Sequence, residues 1–326
     1  MKTVVAAILV GLVMFTGPLF AQDKPEFNQY VETLKQEAIA QGFTKEFVEQ
    51  QFADVQFHQR AVVADKNQPE TKLTLDKYLS SRVPDWKVQK ALKLLEENRD
   101  VLTKVEQQYG VQARFIVALW ANESNFGTYM GKYPVISSLA TMAYEGRREA
   151  FFKKQLFAAL SILQQGHISK EQFLGSWAGA MGQSQFIPTT FLAYAVDFDQ
   201  DGKKDIWGNT SDVFASIANF LKSEGWNNEG TWGRQVLLPQ GFDLSLTGLD
   251  KTNKRSLAQW QALGVRRYSG ADLPAVEVNA VLIAPDGADG RIYLVYDNFD
   301  TLMKWNRSSY FGVAIGYLSD RIKKGS

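Results

Sequence analysis

The sequence predicts a mainly α-helical protein of the α+β class, with a small β region late in the chain. Apolar residues recur at three- and four-residue spacing from Phe27 to Ser223, which is the period of an amphipathic helix. After Gly233 the pattern changes to short strand-like runs, and helical spacing returns from Asn298 to Lys324. With 326 residues, the chain is long enough for one large domain or two smaller ones around a buried core.

The helical part is interrupted by helix-breaking residues such as Gly42, Pro84 and Gly110. Ser211 and Asp212 are predicted to cap the last helix before the β region. The predicted helices are Phe27–Ala40, Thr44–Phe52, Trp86–Tyr109, Gln112–Ser124, Phe151–Gln165 and Val213–Ser223.

Three runs are predicted to form strands. Ala280–Ala284 and Arg291–Tyr296 flank an Asp-Gly turn and are expected to pair, and Gln235–Leu238 precedes them. The chain is accordingly divided into a signal peptide, an N-terminal helical region, a second helical region, a small β-containing region and a C-terminal helical segment. Their bounds are 1–21, 22–107, 108–234, 235–297 and 298–326.

The first residues have the layout of a secretory signal peptide. Lys2 precedes an apolar run from Val4 to Phe15, and cleavage is expected near Ala21. Because Leu19 is large for its place before that cut, an uncleaved anchor is the alternative. The mature protein is expected to be exported to the periplasm.

Charge and cysteine content exclude several classes of protein. The 36 basic residues nearly cancel the 35 acidic ones, so no overall charge favours nucleic acid. The chain contains no cysteine, which excludes a lipoprotein anchor, disulfides and thiolate zinc sites. We expect a monomer that recognises its substrate locally.

Glu123 continues an apolar helical stripe. Phe115, Ile116, Leu119 and Trp120 share a face with it at helical spacing. A carboxyl group that is partly buried has a raised pKa and can hold a proton near neutral pH, as a general acid for a glycosidic oxygen must. The alternative is that Glu123 only marks where the helix emerges into solvent.

Several longer motifs resemble the lytic murein transglycosylase B family, and in combination and order they are highly specific. They extend over about residues 27–324. They are Glu123-Ser-Asn-Phe-Gly127, Ser137-Ser-Leu-Ala-Thr-Met-Ala-Tyr144 with Arg147-Arg148, Gly175-Ser-Trp-Ala-Gly-Ala-Met-Gly-Gln-Ser-Gln-Phe-Ile-Pro188, Asp205-Ile-Trp, Ser216-Ile-Ala-Asn219, Ser256-Leu-Ala-Gln-Trp260 and Trp305-Asn-Arg-Ser308.

The resemblance implies a peptidoglycan lytic transglycosylase with a lysozyme-like catalytic core in residues 108–234. By that resemblance Glu123 matches the catalytic acid/base, and Ser176 and Gln185 match residues that line the glycan groove. The glycines around them allow the backbone to approach a ligand closely. Substrate contacts are also expected from three further motif residues, which are Phe126, Tyr144 and Asn219. Tight packing of a loop on a helix is the alternative for Ser176 and Gln185.

One carboxylate is expected to be enough. Most glycosidases use two carboxylates. The next acids after Glu123 are Glu145 and Glu149, which stand beside two arginines and are interpreted as a solvated charge cluster. The 2-acetamido group of N-acetylmuramic acid can stabilise charge at C1. In the family, the sugar's 6-hydroxyl attacks C1 and closes a 1,6-anhydro ring. Glu123 would protonate the leaving oxygen and then accept the 6-hydroxyl proton.

An acidic segment begins like an EF-hand calcium loop. Acids at positions 1, 3, 5 and 9 alternate with other residues, and Gly202 at position 6 suits the sharp turn. Position 12 is Gly208 instead of Glu, so the loop is longer, and Asp212 matches the closing Asp of the family's longer loop. A structural Ca²⁺ is therefore expected, and the alternative is an acidic surface turn. The expected ligands are Asp197, Asp199, Asp201, the backbone carbonyl of Lys203, and Asp212.

Two other functions remain open from the sequence. A hydrolytic muramidase would use a similar acid but leave reducing ends, and a non-catalytic peptidoglycan-binding protein would not need Glu123. Metallopeptidase chemistry is disfavoured because His58 and His167 are the only histidines and are far apart. Serine hydrolase chemistry is disfavoured because the chain has no GxSxG motif.

Overall fold

The computed structural model describes residues 26–66 and 73–325. The predicted signal peptide, residues 1–21, lies outside this range. None of the described helices is both long enough and apolar enough to cross a membrane. The α-helices in the described ranges are α1 (Phe27–Ala40), α2 (Lys45–Phe52), α3 (Gln59–Lys66), α4 (Leu75–Arg82), α5 (Asp85–Glu97), α6 (Arg99–Tyr109), α7 (Ala113–Ser124), α8 (Val135–Glu145), α9 (Glu149–Gln164), α10 (Pro188–Tyr194), α11 (Thr210–Ser223), α12 (Leu257–Ala262), α13 (Asp297–Trp305) and α14 (Ser309–Lys324).

Helix ends explain where the predicted bounds differ. The single helix predicted over Trp86–Tyr109 is two helices, because Asn98 leaves the helical conformation and its Nδ2 donates to the Leu94 carbonyl over 2.8 Å. The predicted capping of α11 by Ser211 and Asp212 is also wrong. The N-cap is Asn209, whose side chain accepts a hydrogen bond from the Ser211 amide.

The centre of the helical core is α7. Its residues from Phe115 to Ala121 are almost completely buried, and it packs against α5, α6, α11 and α14. On α14, Gly316 permits close packing, since a Cβ there would lie 2.1 Å from the Trp232 ring. Asp320 of α14 accepts hydrogen bonds from Arg114 of α7 and from the Trp232 indole, both at 3.1 Å. The C-terminal segment thus returns to the core.

A small antiparallel sheet carries a second, smaller core. The strands in the described ranges are β1 (Tyr133–Pro134), β2 (Leu174–Gly175), β3 (Gly233–Leu237), β4 (Arg255–Ser256), β5 (Arg266–Arg267), β6 (Asn279–Ile283) and β7 (Ile292–Val295). The order in the larger sheet is β4-β6-β7-β3-β5, and β1 pairs with β2. The predicted hairpin is confirmed, with Val281 opposite Val295. Trp260 of α12 is fully buried against this sheet.

A buried carboxylate fastens the N-terminal helices to the core. Asp65 of α3 is 5% exposed and accepts hydrogen bonds from Arg147 at 2.6 Å and Arg148 at 2.9 Å. A buried carboxylate needs such partners, because its desolvation is costly. The two arginines are therefore more than part of a solvated charge cluster.

Candidate active site

Glu123 lies in the last turn of α7, where the chain turns away sharply. The three residues that follow the helix, Asn125, Phe126 and Gly127, all have positive φ angles, of 50°, 60° and 76°. The Gly127 amide donates to Ser124 Oγ over 2.9 Å, which closes the turn. The buried stripe of α7 thus ends at Glu123, whose side chain is partly exposed.

The surroundings of Glu123 raise its pKa. The side chain is only partly exposed, and burial raises its pKa to about 7, although a hydrogen bond from Trp305 and the charge of Arg82 act in the opposite direction. The Trp305 indole Nε1 donates to Glu123 Oε1 over 2.6 Å. With this pKa, Glu123 populates both its protonated and its ionised form near neutral pH, which general acid/base catalysis requires.

Two residues of α4 join Glu123 from the N-terminal region. The charge of Arg82 acts on Glu123, and the Arg82 guanidinium carbon lies 5.6 Å from the Tyr78 ring centroid. Burial raises the pKa of Tyr78, and the charge of Glu123 adds to this. Sequence reasoning missed both residues, because α4 is an ordinary short amphipathic helix without a motif.

The glycine-rich segment after β2 is organised by its own polar side chains. Ser176 Oγ accepts hydrogen bonds from the amides of Ala178 and Ala180 at 3.3 and 3.0 Å. Gln185 has a positive φ of 50°, and its Nε2 donates to the carbonyls of Gly182 and Met130. Both predicted groove residues therefore shape the segment that would line the groove.

The other predicted substrate residues have different surroundings. Phe126 packs edge-on against Trp120 with a centroid distance of 5.3 Å, next to the turn after Glu123. Asn219 donates its Nδ2 to the Tyr194 carbonyl over 2.9 Å. Tyr144, near the C-terminal end of α8, packs its ring against Phe27 of α1 at 5.3 Å. It belongs to an aromatic cluster with the N-terminal region.

Gln183 links α7, the helix of Glu123, to the acidic loop, and sequence reasoning missed it. It is 7% exposed; its Oε1 accepts from the Trp120 indole at 2.8 Å, and its Nε2 donates to the Trp207 carbonyl at 2.9 Å. A Cβ on Gly127 would lie 2.5 Å from Gln183 Oε1. The motif signalled this segment, but its spacing does not distinguish the roles of Gln183 and Gln185.

Three carboxylates of the acidic loop converge. Each of Asp197, Asp199 and Asp201 offers an oxygen, and these oxygens lie within 4.8 Å of one another. Asp197 also accepts hydrogen bonds from the amides of Asp201 and Gly202, so the loop is wound around it. Asn209 donates its Nδ2 to Asp199 over 2.7 Å. Hard oxygen donors in this arrangement fit a cation such as Ca²⁺.

Asp212 is placed differently from the three converging acids. It is fully buried and lies outside the group of three acids among the described residues. Its two oxygens accept hydrogen bonds from the amides of Phe198 and Asp205, both at 2.7 Å. Burial raises the pKa of Asp212 to about 6, and the nearby acids add to this. It therefore ties both ends of the loop to α11. Lys203 is exposed, and its amide donates to Asp201.

Solved structures of other proteins resemble this chain over most of its length. SltB3 from Pseudomonas aeruginosa, solved in complex with NAG-anhNAM-pentapeptide and with NAG-NAM-pentapeptide, is 44% identical with a TM-score of 0.87 over 91% of this chain and 79% of that one. The Escherichia coli lytic transglycosylase Slt35, solved in complex with calcium, is 25% identical with a TM-score of 0.75 over 93% and 94%.

A curated relative agrees with these structures. The membrane-bound lytic murein transglycosylase B of Escherichia coli (strain K12) is 29% identical over 245 residues. This stretch is 72% of the present chain and 63% of the relative, so the chain spans less than two thirds of that protein's length. The predicted resemblance and the mainly helical, lysozyme-like fold are confirmed. Because residues 26–320 match the family described as the transglycosylase SLT domain, the chain belongs to that family.

Proposed function

We propose that this protein is a peptidoglycan lytic transglycosylase. It cleaves the β-1,4 bond between N-acetylmuramic acid and N-acetylglucosamine, with Glu123 as the only acid/base. The observation that carries the proposal is a carboxyl group with a pKa of about 7 at the end of a buried helix. Membership of the transglycosylase SLT domain family and the muropeptide complexes of SltB3 support it.

Glu123 acts twice in the proposed reaction. Protonated Glu123 donates its proton to the glycosidic oxygen as the bond to C1 breaks, and the sugar's 2-acetamido oxygen stabilises the positive charge that develops at C1. The ionised carboxylate then accepts the proton of the 6-hydroxyl as its oxygen bonds to C1. The proton that Glu123 gave is thus regained, and no water is consumed. A pKa near 7 suits both steps.

The next two glutamates after Glu123 form contacts with the N-terminal helices. Glu145 lies 2.6 Å from Lys66 of α3, and Glu149 accepts a hydrogen bond from Tyr30 of α1 at 2.7 Å. Both contacts are with the N-terminal helices, so neither acid serves as a second catalytic carboxylate. This supports the reaction with a single acid over a hydrolysis with two.

Analysis of the products tests the proposal. Purified peptidoglycan sacculi would be digested and the soluble muropeptides examined by mass spectrometry. We expect 1,6-anhydromuramic acid ends, which are lighter by one water than the products of hydrolysis. Reducing muramic acid ends as the main product would favour the hydrolytic muramidase, and intact sacculi would favour a binding protein.

We propose that the glycan lies along the segment after β2. Ser176 and Gln185 would contact it there, with Phe126 and Asn219 near the same groove. Tyr144 stays among the proposed substrate residues, although its described contacts with α1 give it a packing role as well. Because peptidoglycan lies outside the cytoplasm, we also propose export through the signal peptide of residues 1–21 and action as a monomer.

A structural Ca²⁺ is proposed for the acidic loop. Asp197, Asp199 and Asp201 would hold it together with the backbone carbonyl of Lys203, and Asp212 would support the loop from the buried side. Three neighbouring carboxylates repel one another, and a divalent cation offsets this repulsion. The calcium complex of Slt35 supports the assignment. The ion would stabilise the loop and take no part in the chemistry.

A further inference from the structure

The turn of the β6–β7 hairpin contacts the N-terminus of the helix that carries Tyr78 and Arg82, whose N-cap residue is Thr74. Asp286, in this turn, accepts a hydrogen bond from the Leu75 amide over 2.6 Å. Leu75 is the first residue of α4, and a carboxylate is favourable at a helix N-terminus because the first amides there have no partner within the helix. Asp286 lies 211 residues away from Leu75 in the sequence.

The other oxygen of Asp286 holds a tyrosine that packs on the same helix. Tyr310 of α14 donates its hydroxyl hydrogen to Asp286 Oδ1. Its ring meets the Tyr78 ring edge-on, with a centroid distance of 5.6 Å and an angle of 84°. Asp286 therefore acts on α4 in two ways: directly at the first residue, and through Tyr310 at Tyr78.

A second residue of the hairpin reaches the first turn of α4. Arg291 donates its Nε–H to Asp76 Oδ1 over 2.5 Å, and its guanidinium carbon lies 5.6 Å from the Tyr317 ring centroid. The hairpin is thus tied both to α4 and to α14. A helix of eight residues such as α4 is marginal by itself in water, so its position depends on such tertiary contacts.

We propose that the β6–β7 hairpin is a positioning device for the active site, in which Asp286 and Arg291 fix α4 so that Tyr78 and Arg82 face Glu123. This inference rests on the proposed role of Glu123. It also gives the late β region a function in catalysis, although Asp286 and Arg291 do not need to touch substrate.

The electrostatics of Glu123 provide a readout. The groups that act on it are Arg82 and Tyr78 from α4 and Trp305 from the end of α13. If α4 moves away, Glu123 loses the positive charge of Arg82, which lowers its pKa, and its burial, which raises the pKa most, changes at the same time. The pKa of Glu123 therefore shifts, and the basic limb of the pH–rate profile moves with it.

The test compares two aspartates of the same turn. Asp286→Ala removes the carboxylate that holds the Leu75 amide and the Tyr310 hydroxyl, whereas Asp289→Ala removes an exposed carboxylate that makes no hydrogen bond or ion pair within the described residues. We expect kcat on sacculi to fall about ten- to a hundredfold for Asp286→Ala, as for a misplaced catalytic group, with KM changed less. The basic limb of its pH profile should move away from that of the wild type, and Asp289→Ala should match the wild type.

Two further variants keep the test decisive. Asp76→Asn weakens the tie to Arg291 by removing its negative charge at an exposed side chain, so it reports on the hairpin even if Asp286→Ala does not fold. A double-mutant cycle with Arg82→Gln distinguishes positioning from general destabilisation. If Asp286 acts through Arg82, the effects on kcat are less than additive.

The inference is overturned if Asp286→Ala and Asp76→Asn keep the wild-type kcat and pH profile, or if their effects add fully to that of Arg82→Gln. Carbon-13 NMR titration of the Glu123 carboxyl group measures its pKa without turnover. A shift in Asp286→Ala supports the positioning role even if Glu123→Gln shows that the proposed function is wrong. An unchanged pKa overturns it.

Discussion

Trp305 donates its indole N–H to Glu123 Oε1 over 2.6 Å, although 182 residues separate the two in the sequence. The bond joins the end of α13 to the end of the central helix α7. It stabilises the ionised carboxylate, whereas burial favours the protonated one, and the pKa of about 7 reflects both effects. The C-terminal helices therefore contact the proposed acid as well as the core.

Replacing Glu123 with Gln should abolish cleavage while keeping the fold. The amide has the shape of the acid but no proton that titrates near neutral pH, and losing a general acid/base costs about two to four orders of magnitude in rate. The matched control is Glu97→Gln, which alters an exposed acid of α5 paired with Lys93. Turnover on sacculi would be measured for both. More than a few per cent residual activity in Glu123→Gln would contradict its assignment.

Glu123→Gln should also be more stable than the wild type at high pH. The pKa of Glu123 rises from 4.5 to about 7 in the folded protein, so the folded state binds more protons than the unfolded state between these values. Wild-type stability therefore falls as pH rises from 4.5 through 7. At about 1.4 kcal/mol for each pH unit, the loss is on the order of 3 kcal/mol.

Gln at position 123 does not titrate and should escape this loss. Denaturant unfolding of both proteins at several pH values measures the effect. We expect Glu123→Gln to be the more stable protein above pH 7 and the difference to disappear towards pH 4.5. A difference that is independent of pH would indicate that the pKa of Glu123 is not raised.

Trp305→Phe should move the basic limb of the pH–rate profile upwards. The ring contacts of Trp305 with Phe186 and Phe220, at 5.3 and 4.8 Å, can be kept by Phe, but the N–H donor is lost. Without that hydrogen bond the pKa of Glu123 rises, by about one pH unit for a bond to a charged group. Trp86→Phe, at an exposed tryptophan, is the control. A limb that stays in place would show that the indole N–H does not tune the acid.

Chelation should lower the melting temperature if the acidic loop holds Ca²⁺. A ligand that binds only the folded state stabilises it by about 2.7 kcal/mol at a hundredfold excess over Kd. Calcium should restore the melting temperature better than magnesium, whose octahedral shell suits a long loop poorly. Asp199→Asn should weaken the rescue and leave low-temperature activity near normal, whereas Asp289→Asn should not. Identical melting curves with chelator, calcium and magnesium would indicate that the loop is only an acidic surface turn.

Gly182→Ala should destabilise the protein more than Gly166→Ala. Both glycines have positive φ, 64° and 74°, so each substitution strains the backbone. A Cβ at Gly182 would also lie 2.6 Å from the Ile206 carbonyl, whereas nothing lies within 4 Å of a Cβ at Gly166. The extra loss in free energy of unfolding measures how closely the glycine-rich segment packs on the acidic loop. Equal losses would show that only φ matters.

The sequence alone determined the local features of this protein. Helical spacing predicted α1 and α7, the Asp-Gly turn predicted the β6–β7 hairpin, and alternating acids predicted the convergence of Asp197, Asp199 and Asp201. Each of these follows from neighbours within a few residues, because backbone periodicity and turn geometry are local properties. The spacing also singled out Glu123 as an acid that continues an apolar stripe, but its predicted acid/base role came from the family resemblance.

Only the tertiary structure decided which distant residues surround Glu123. Trp305 and Arg82 come from separate helices, and nothing in their local sequence indicates that they meet at one carboxylate. Asp212 was predicted to be a ligand from its place along the loop. In the structure it is buried, and both of its oxygens accept hydrogen bonds from backbone amides. The physical reason is that burial and charge act across space, so a pKa or a hydrogen bond depends on packing that no short sequence pattern records.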